Sequence, residues 1–178
     1  MKKILYFLLI FAFSLSSCEK DDICDANTPT TPRLVITFYY ANRPTLLKNV
    51  VRMKVIGENQ EQGIVFNETA LTDELKYTTN ANQILIPLDP TKDSVTYSFI
   101  SNFSTTNTTL SNEDILKFTY TRKNVYVSRA CGFKTVYELN TTIERIGGEN
   151  PNTYWMSNIY VKNPNVEFEN ETHVEVYF

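Results

Sequence analysis

One histidine and three cysteines are the most reactive side chains in this 178-residue chain, and carboxylates supply the rest of its potential chemistry. A lone imidazole, His173, removes multi-histidine metal sites and most nucleophile–base triads. Lying near Glu171 and Glu175, it reads as a surface or rim residue. Acidic residues cluster at Asp21 and Asp22, at Glu58 and Glu61, at Glu113 and Asp114, and from Glu167 to Glu171. Such groups can supply the paired carboxylates of a glycosidase or the oxygens of a calcium site. None follows the EF-hand spacing, and all read as solvated turns. The expectation is therefore no catalytic residue, no metal and no cofactor, with a glycan-acting hydrolase using paired carboxylates as the alternative.

The cysteines carry more information because of what surrounds them. Lys2 and Lys3 precede an apolar run from Ile4 to Phe13, and Leu15-Ser16-Ser17-Cys18 closes it. A membrane span needs about 20 apolar residues, so the run is too short to remain in a bilayer and reads as a secretory signal. Leu15-Ser16-Ser17-Cys18 resembles the bacterial lipobox, which implies a diacylglycerol thioether on Cys18, residues 1–17 removed, and membrane attachment through lipid. The competing reading is an ordinary secretory signal whose Cys18 pairs with another cysteine. Glu19-Lys20-Asp21-Asp22 resembles the surface-export signal of Bacteroidetes lipoproteins, implying an outer-membrane anchor that faces outward. The alternative is a charged tether facing the periplasm.

With Cys18 assigned to lipid, Cys24 and Cys131 remain in an oxidising compartment, where two leftover thiols are more often paired than free. A Cys24–Cys131 disulfide is the expectation. The other reading leaves Cys24 in the tether and Cys131 as a small buried hydrophobe. A bridge closing a loop of about 100 residues corresponds to about 4.7 kcal/mol in the chain-entropy account. Lys2 and Lys3 leave with the signal, so 17 basic side chains become 15 against 20 acidic ones, net −5. Nucleic acid is an unfavourable partner for such a chain.

These side chains must be positioned by strands. Residues 18–32 are polar and end in Thr28-Pro29-Thr30-Thr31-Pro32, an extended tether. From Arg33 onward apolar residues alternate with period two: Leu34, Ile36 and Phe38; Val51, Met53 and Val55; Ile84, Ile86 and Leu88, with Pro87 making this an edge strand or ending it; Val95, Tyr97 and Phe99; Leu116, Phe118 and Tyr120; Phe133, Tyr137 and Leu139; Trp155, Ile159 and Val161; Val174, Val176 and Phe178. Ile64-Val65-Phe66 reads as a short strand, Arg122-Lys123-Asn124 as a turn or bulge, and Asp73 to Lys76 as at most one helical turn. No sustained helical period competes. Residues 33–178 are therefore expected to form a single all-β domain, an antiparallel β-sandwich of immunoglobulin or fibronectin-like architecture, with a small closed β-barrel as the runner-up.

Cys18-Glu19-Lys20-Asp21-Asp22, Thr31-Pro32-Arg33-Leu34-Val35-Ile36, Tyr126-Val127-Ser128-Arg129-Ala130-Cys131-Gly132-Phe133 and the closing His173 to Phe178 together resemble a Bacteroidetes lipoprotein family of unknown function. The resemblance implies a small β-rich envelope protein with both later cysteines as family features, sometimes encoded near an outer-membrane β-barrel. A glycan, a protein or such a barrel is thus the expected partner. Asp93-Ser94-Val95 resembles the acceptor of Bacteroidetes O-glycosylation, which makes Ser94 a candidate modification site; an unmodified strand-start serine is the alternative. Asn67, Asn102, Asn107, Asn140 and Asn170 each open an Asn-X-Ser/Thr triplet, for which a bacterial lipoprotein usually lacks the machinery. Trp155, beside Tyr154, could stack on a sugar, but its phase favours the core.

Overall fold

The computed structural model describes residues 23–25, 28, 30–147 and 154–178. Cys18, the signal and the export-like acidic run lie outside the described residues. Two β-sheets enclose one core. The first contains β1 (Leu34–Tyr40), β2 (Arg43–Leu47), β5 (Gln83–Ile86), β10 (Asn158–Val161) and β12 (Val174–Tyr177), in the order β10-β12-β1-β2 with β5 also on β1. The second runs β11-β8-β7-β6-β3-β4, from β11 (Asn165–Val166), β8 (Gly132–Leu139), β7 (Asn112–Ser128), β6 (Ser94–Ser101), β3 (Met53–Gly57) and β4 (Thr78–Thr79), with β9 (Glu144–Gly147) also on β7. Neither sheet closes on itself, so the fold is a β-sandwich and not a barrel.

β1 organises the first sheet. Its sequence Leu-Val-Ile-Thr-Phe-Tyr-Tyr is rich in β-branched and aromatic residues, and its first five residues are buried on both faces. Ile36 to Tyr39 pair with Val174 to Tyr177 in parallel, while every other strand pairing among the described residues is antiparallel, as expected of the sandwich. On the other edge, Leu34 to Thr37 pair with β5, and Tyr39 and Tyr40 pair with β2 across a register shift. β2 contains Pro44 and is exposed throughout, the position a strand proline tolerates. β5 stops at Ile86, before Pro87.

Period-two residues from both sheets meet in the middle: Leu34, Ile36 and Phe38 against Met53, Val55, Phe99, Leu116 and Phe118. Fully burying each such side chain contributes about 1.5–3 kcal/mol. Trp155 belongs to this core. Its indole N–H donates to the carbonyl of Phe99 at 3.0 Å, and its ring lies 6.1 Å from Phe38 and 5.2 Å from Phe178.

Three tyrosines of the second sheet grip the turn that leaves β5. The hydroxyl of Tyr97 donates to the Pro87 carbonyl at 2.8 Å, that of Tyr137 to the Leu88 carbonyl at 3.2 Å, and that of Tyr120 to the Asp89 carbonyl at 3.0 Å. Burial pushes Tyr97 and Tyr120 up to about 12.

Several local expectations change. Ile64 to Phe66 form no strand; Gly63 makes only an isolated bridge with Ile56. Val51 is exposed in a turn, next to Arg52 at φ 45°. The Arg52 backbone N–H bonds Asn80 Oδ1 at 2.7 Å, its side chain bonds the Phe103 carbonyl at 2.8 Å, and it pairs with Glu74, which together hold this left-handed residue. The single helix among the described residues, α1 (Asp73–Tyr77), is capped by Thr72, whose hydroxyl accepts from the Leu75 N–H.

Candidate functional site

β7 is 17 residues long and is used twice. Asn112 to Thr119 pair with β6 inside the sandwich, while Tyr120 to Ser128 pair with β8 and leave it. No residue from Thr121 to Val136 is buried. Of the two expectations for this stretch, the turn does not form, since Arg122 to Asn124 are continuous strand, and a bulge-like register shift falls just after, between Tyr126 and Ser128. The result is a two-stranded arm about 25 Å long at 3.3 Å per residue. Such a ribbon is marginally stable alone, so what holds its tip matters.

The tip is built locally. The Cys131 N–H donates to the hydroxyl of Ser128 at 3.0 Å, and Gly132 reverses the chain at φ +69°, a region that costs glycine nothing. Cys131 is bonded to Cys24, 107 residues away, as the thiol count predicts. A second contact follows along the same edge, where the Thr135 N–H donates to Thr31 Oγ1 at 3.1 Å. Pro32, placed at the end of the tether by composition, is buried. Arg33 then grips Glu169 through its backbone N–H at 2.9 Å and two guanidinium bonds at 2.8 and 2.7 Å. This bidentate contact holds the Glu169 carboxyl below the usual carboxylate range.

The tip also exposes large apolar side chains. Tyr126 and Phe133 face each other edge to face at 5.4 Å and are 59% and 69% exposed. Ile23, next to Cys24, is 80% exposed. The Lys134 ammonium lies 5.3 Å from the centre of the Phe168 ring.

Ser94 is elsewhere. It is the first residue of β6, half-buried, opposite Thr119, and it lines a cleft of about 460 Å³ with Glu58, Gln60, Gln62, Asp89 and Lys92. Two hydrogen bonds from Thr91 hold the Asp89 carboxyl below its ordinary range.

Two titratable groups that sequence reasoning placed on the surface are buried. Asp114 is fully enclosed; one carboxylate oxygen accepts the Met156 N–H at 2.8 Å and the other has no protein partner. Burial pushes its carboxyl up. The signal was available, because Asp114 shares the phase of Leu116, Phe118 and Tyr120. His173 is likewise enclosed, not a rim residue. Its Nδ1 accepts the Val35 N–H at 3.0 Å, so Nε2 carries the proton of the neutral ring and meets no protein acceptor. Burial lowers its pKa. Among the described residues no three His, Cys, Asp or Glu side chains gather as a metal site.

No curated protein and no solved structure matches the chain. Residues 52–178, which include β3 through β12 and the whole arm, match the family of unknown function DUF6452, and the chain belongs to that family.

Proposed function

We propose that this protein is a lipid-anchored lipoprotein of the outer membrane, facing outward, that works as a binding or accessory module and not as an enzyme. The observation that supports it most is the Cys24–Cys131 disulfide. It ties the body to the chain six residues after Cys18, and six extended residues reach at most about 22 Å. A leash that ran freely through Pro32 would reach about 50 Å by the same rule. The body is thus held close to the surface that carries the acyl chains, which anchor stably when two or more are present. Among the described residues no helix is long and apolar enough to span a membrane, so the lipid is the anchor in this reading.

The cleft beside Ser94 suits a polar ligand such as a glycan, because Gln60, Gln62, Glu58 and Asp89 offer donors and acceptors that sugar hydroxyls match. An outer-membrane β-barrel or another envelope protein is the alternative partner. Glycan attachment at Ser94 belongs to the same exported setting and is read by intact mass. The hydrolase alternative gains little: a glycosidase needs one carboxyl kept protonated, whereas Asp89 in the cleft is held low and Asp114, which is pushed up, is sealed against Met156.

Radiolabelled palmitate fed to cells that make wild-type and Cys18→Ala protein tests the anchor. Wild-type protein should take up label and sediment with the outer membrane, and the variant should do neither. Equal labelling of both proteins, or none of either, would refute it. Array binding of the detergent-purified protein to glycans, with loss on Gln62→Ala, tests the cleft.

A further inference from the structure

We infer that the tip of the β7–β8 arm is itself a membrane contact, with Tyr126, Phe133 and Ile23 seated at the boundary between lipid headgroups and acyl chains. The inference rests on the lipid anchor proposed above and adds a second, non-covalent point of attachment.

Three independent features converge on it. The first is exposure of the kind lipid favours. Tyr126 and Phe133 are cross-strand partners on one face of a ribbon with no core beneath it, and each leaves more than half its surface open. An aromatic ring with one apolar face and one wet edge suits the bilayer interface.

The second feature is charge. The arm from Thr121 to Tyr137 carries Arg122, Lys123, Arg129 and Lys134 and not one carboxylate, although the whole chain is net acidic. Arg122, at the base, pairs with Asp93, and Glu138 lies at the base too, whereas Asp25 stands beside Cys24 at the tip. Lys123, Arg129 and Lys134 still outnumber the tip carboxylate Asp25, and a basic, aromatic ribbon on an acidic protein is the composition that lies against headgroup phosphates.

The third is placement. The disulfide fixes the tip to Cys24, and the chain from Cys24 to the lipidated Cys18 spans at most about 22 Å. The aromatic pair begins two residues beyond Cys131. Of all the exposed apolar side chains on the body, these are the ones that the covalent connection brings nearest to the bilayer. Leu71, 98% exposed, and Leu110, 71% exposed, lie in loops that no such link restrains.

The test uses the full lipidated chain, purified from membranes and reconstituted into vesicles of phosphatidylethanolamine and phosphatidylglycerol with brominated acyl chains. Phe133→Trp places a reporter at the tip, and the wild-type protein supplies the background of Trp155, which the core shields. Flotation of the vesicles is measured in the same samples. The expected result is that the protein floats and that the Phe133→Trp signal above background falls by about half in brominated vesicles, with a blue shift, as for a side chain at interfacial depth. A floating protein whose added tryptophan is neither shifted nor quenched would overturn the contact and leave the anchor standing. A blue shift that depends on protein density and not on bromine would also overturn it, showing that the tip meets a second copy. Failure to float would overturn the anchor and, with it, this contact.

Discussion

The hydroxyl of Thr31 accepts the backbone N–H of Thr135 at 3.1 Å, across 104 residues of sequence. It lies between the Cys24–Cys131 bond and the Arg33–Glu169 pair, so the segment that enters the fold is fastened to the arm and to the strand-poor stretch before β12 at three successive points. The entry segment therefore acts as a brace for an arm that has no core of its own.

Loss of the disulfide should act on the arm first. Cys24→Ser with Cys131→Ser is expected to raise amide hydrogen exchange from Lys123 to Thr135 while β1, β6 and β12 stay protected. Global stability should fall by up to about 4.7 kcal/mol, the chain-entropy value for a loop of this size. Uniform exchange across all strands in the double variant would argue that the arm is stable without its brace.

Acid should destabilise the fold through His173. Its folded pKa lies below the ordinary 6.5 because of burial, so the unfolded chain binds a proton that the native state resists. The stabilisation is present above pH 6.5 and is lost as pH falls from there through the folded value. Protonation also turns Nδ1 from an acceptor into a donor facing the Val35 N–H. Urea midpoints measured between pH 7.5 and 5 should fall in the wild type and flatten in His173→Gln. An equal slope in both would remove His173 from this role.

Asp114 works in the opposite sense. Its folded pKa is raised above 3.8 by burial, so the stabilisation is full below that value and is lost as pH rises through the folded pKa. At pH 7 Asp114→Asn, which keeps an acceptor for the Met156 N–H, should match or exceed the wild type in melting temperature. Asp114→Ala should lose about 1–3 kcal/mol, because that N–H is left buried and unpaired. Calorimetry of the pair decides the matter, and a large loss in the asparagine variant would count against it.

The tyrosine grip on the Pro87–Asp89 turn should be graded. Tyr120 bonds both backbone groups of Asp89, donating to the carbonyl at 3.0 Å and accepting from the N–H at 2.9 Å, while Tyr137 makes one bond at 3.2 Å. Tyr120→Phe should therefore cost more, about 1–3 kcal/mol against about 1 for Tyr137→Phe. Alkali should act on the same grip. Tyr97 and Tyr120 titrate near 12 in the fold against 10 unfolded, so their contribution holds below pH 10 and is lost between 10 and 12. Denaturant midpoints at pH 8 and 11 measure it.

Much of this architecture was legible because a strand's period is two. Leu116, Phe118 and Tyr120 announce an inward face, and continuing that phase back by two residues buries Asp114, which the habit of reading acids as solvated obscures. His173 could not be found in this way. It is out of phase with Val174 and Val176, and it is buried because its ring folds onto the edge of β1, a long-range contact that no local pattern encodes. β2 is hidden in the sequence for a related reason: Pro44 and five exposed residues carry no apolar alternation, and only pairing with Tyr39 and Tyr40 makes it a strand. At the candidate site, cysteine arithmetic sufficed for the Cys24–Cys131 pairing. The arm was not legible, because Arg122-Lys123-Asn124 reads equally as a turn or as a bulge in a continuing strand until both its edges are seen.

The most direct test of the account is non-reducing peptide mass spectrometry on the mature protein extracted from membranes. An N-terminal peptide that begins at an acylated Cys18 and is disulfide-linked through Cys24 to the peptide containing Cys131 is the predicted species. An unmodified Cys18, with Cys24 and Cys131 both open to alkylation without reductant, would contradict the anchored, braced protein described above.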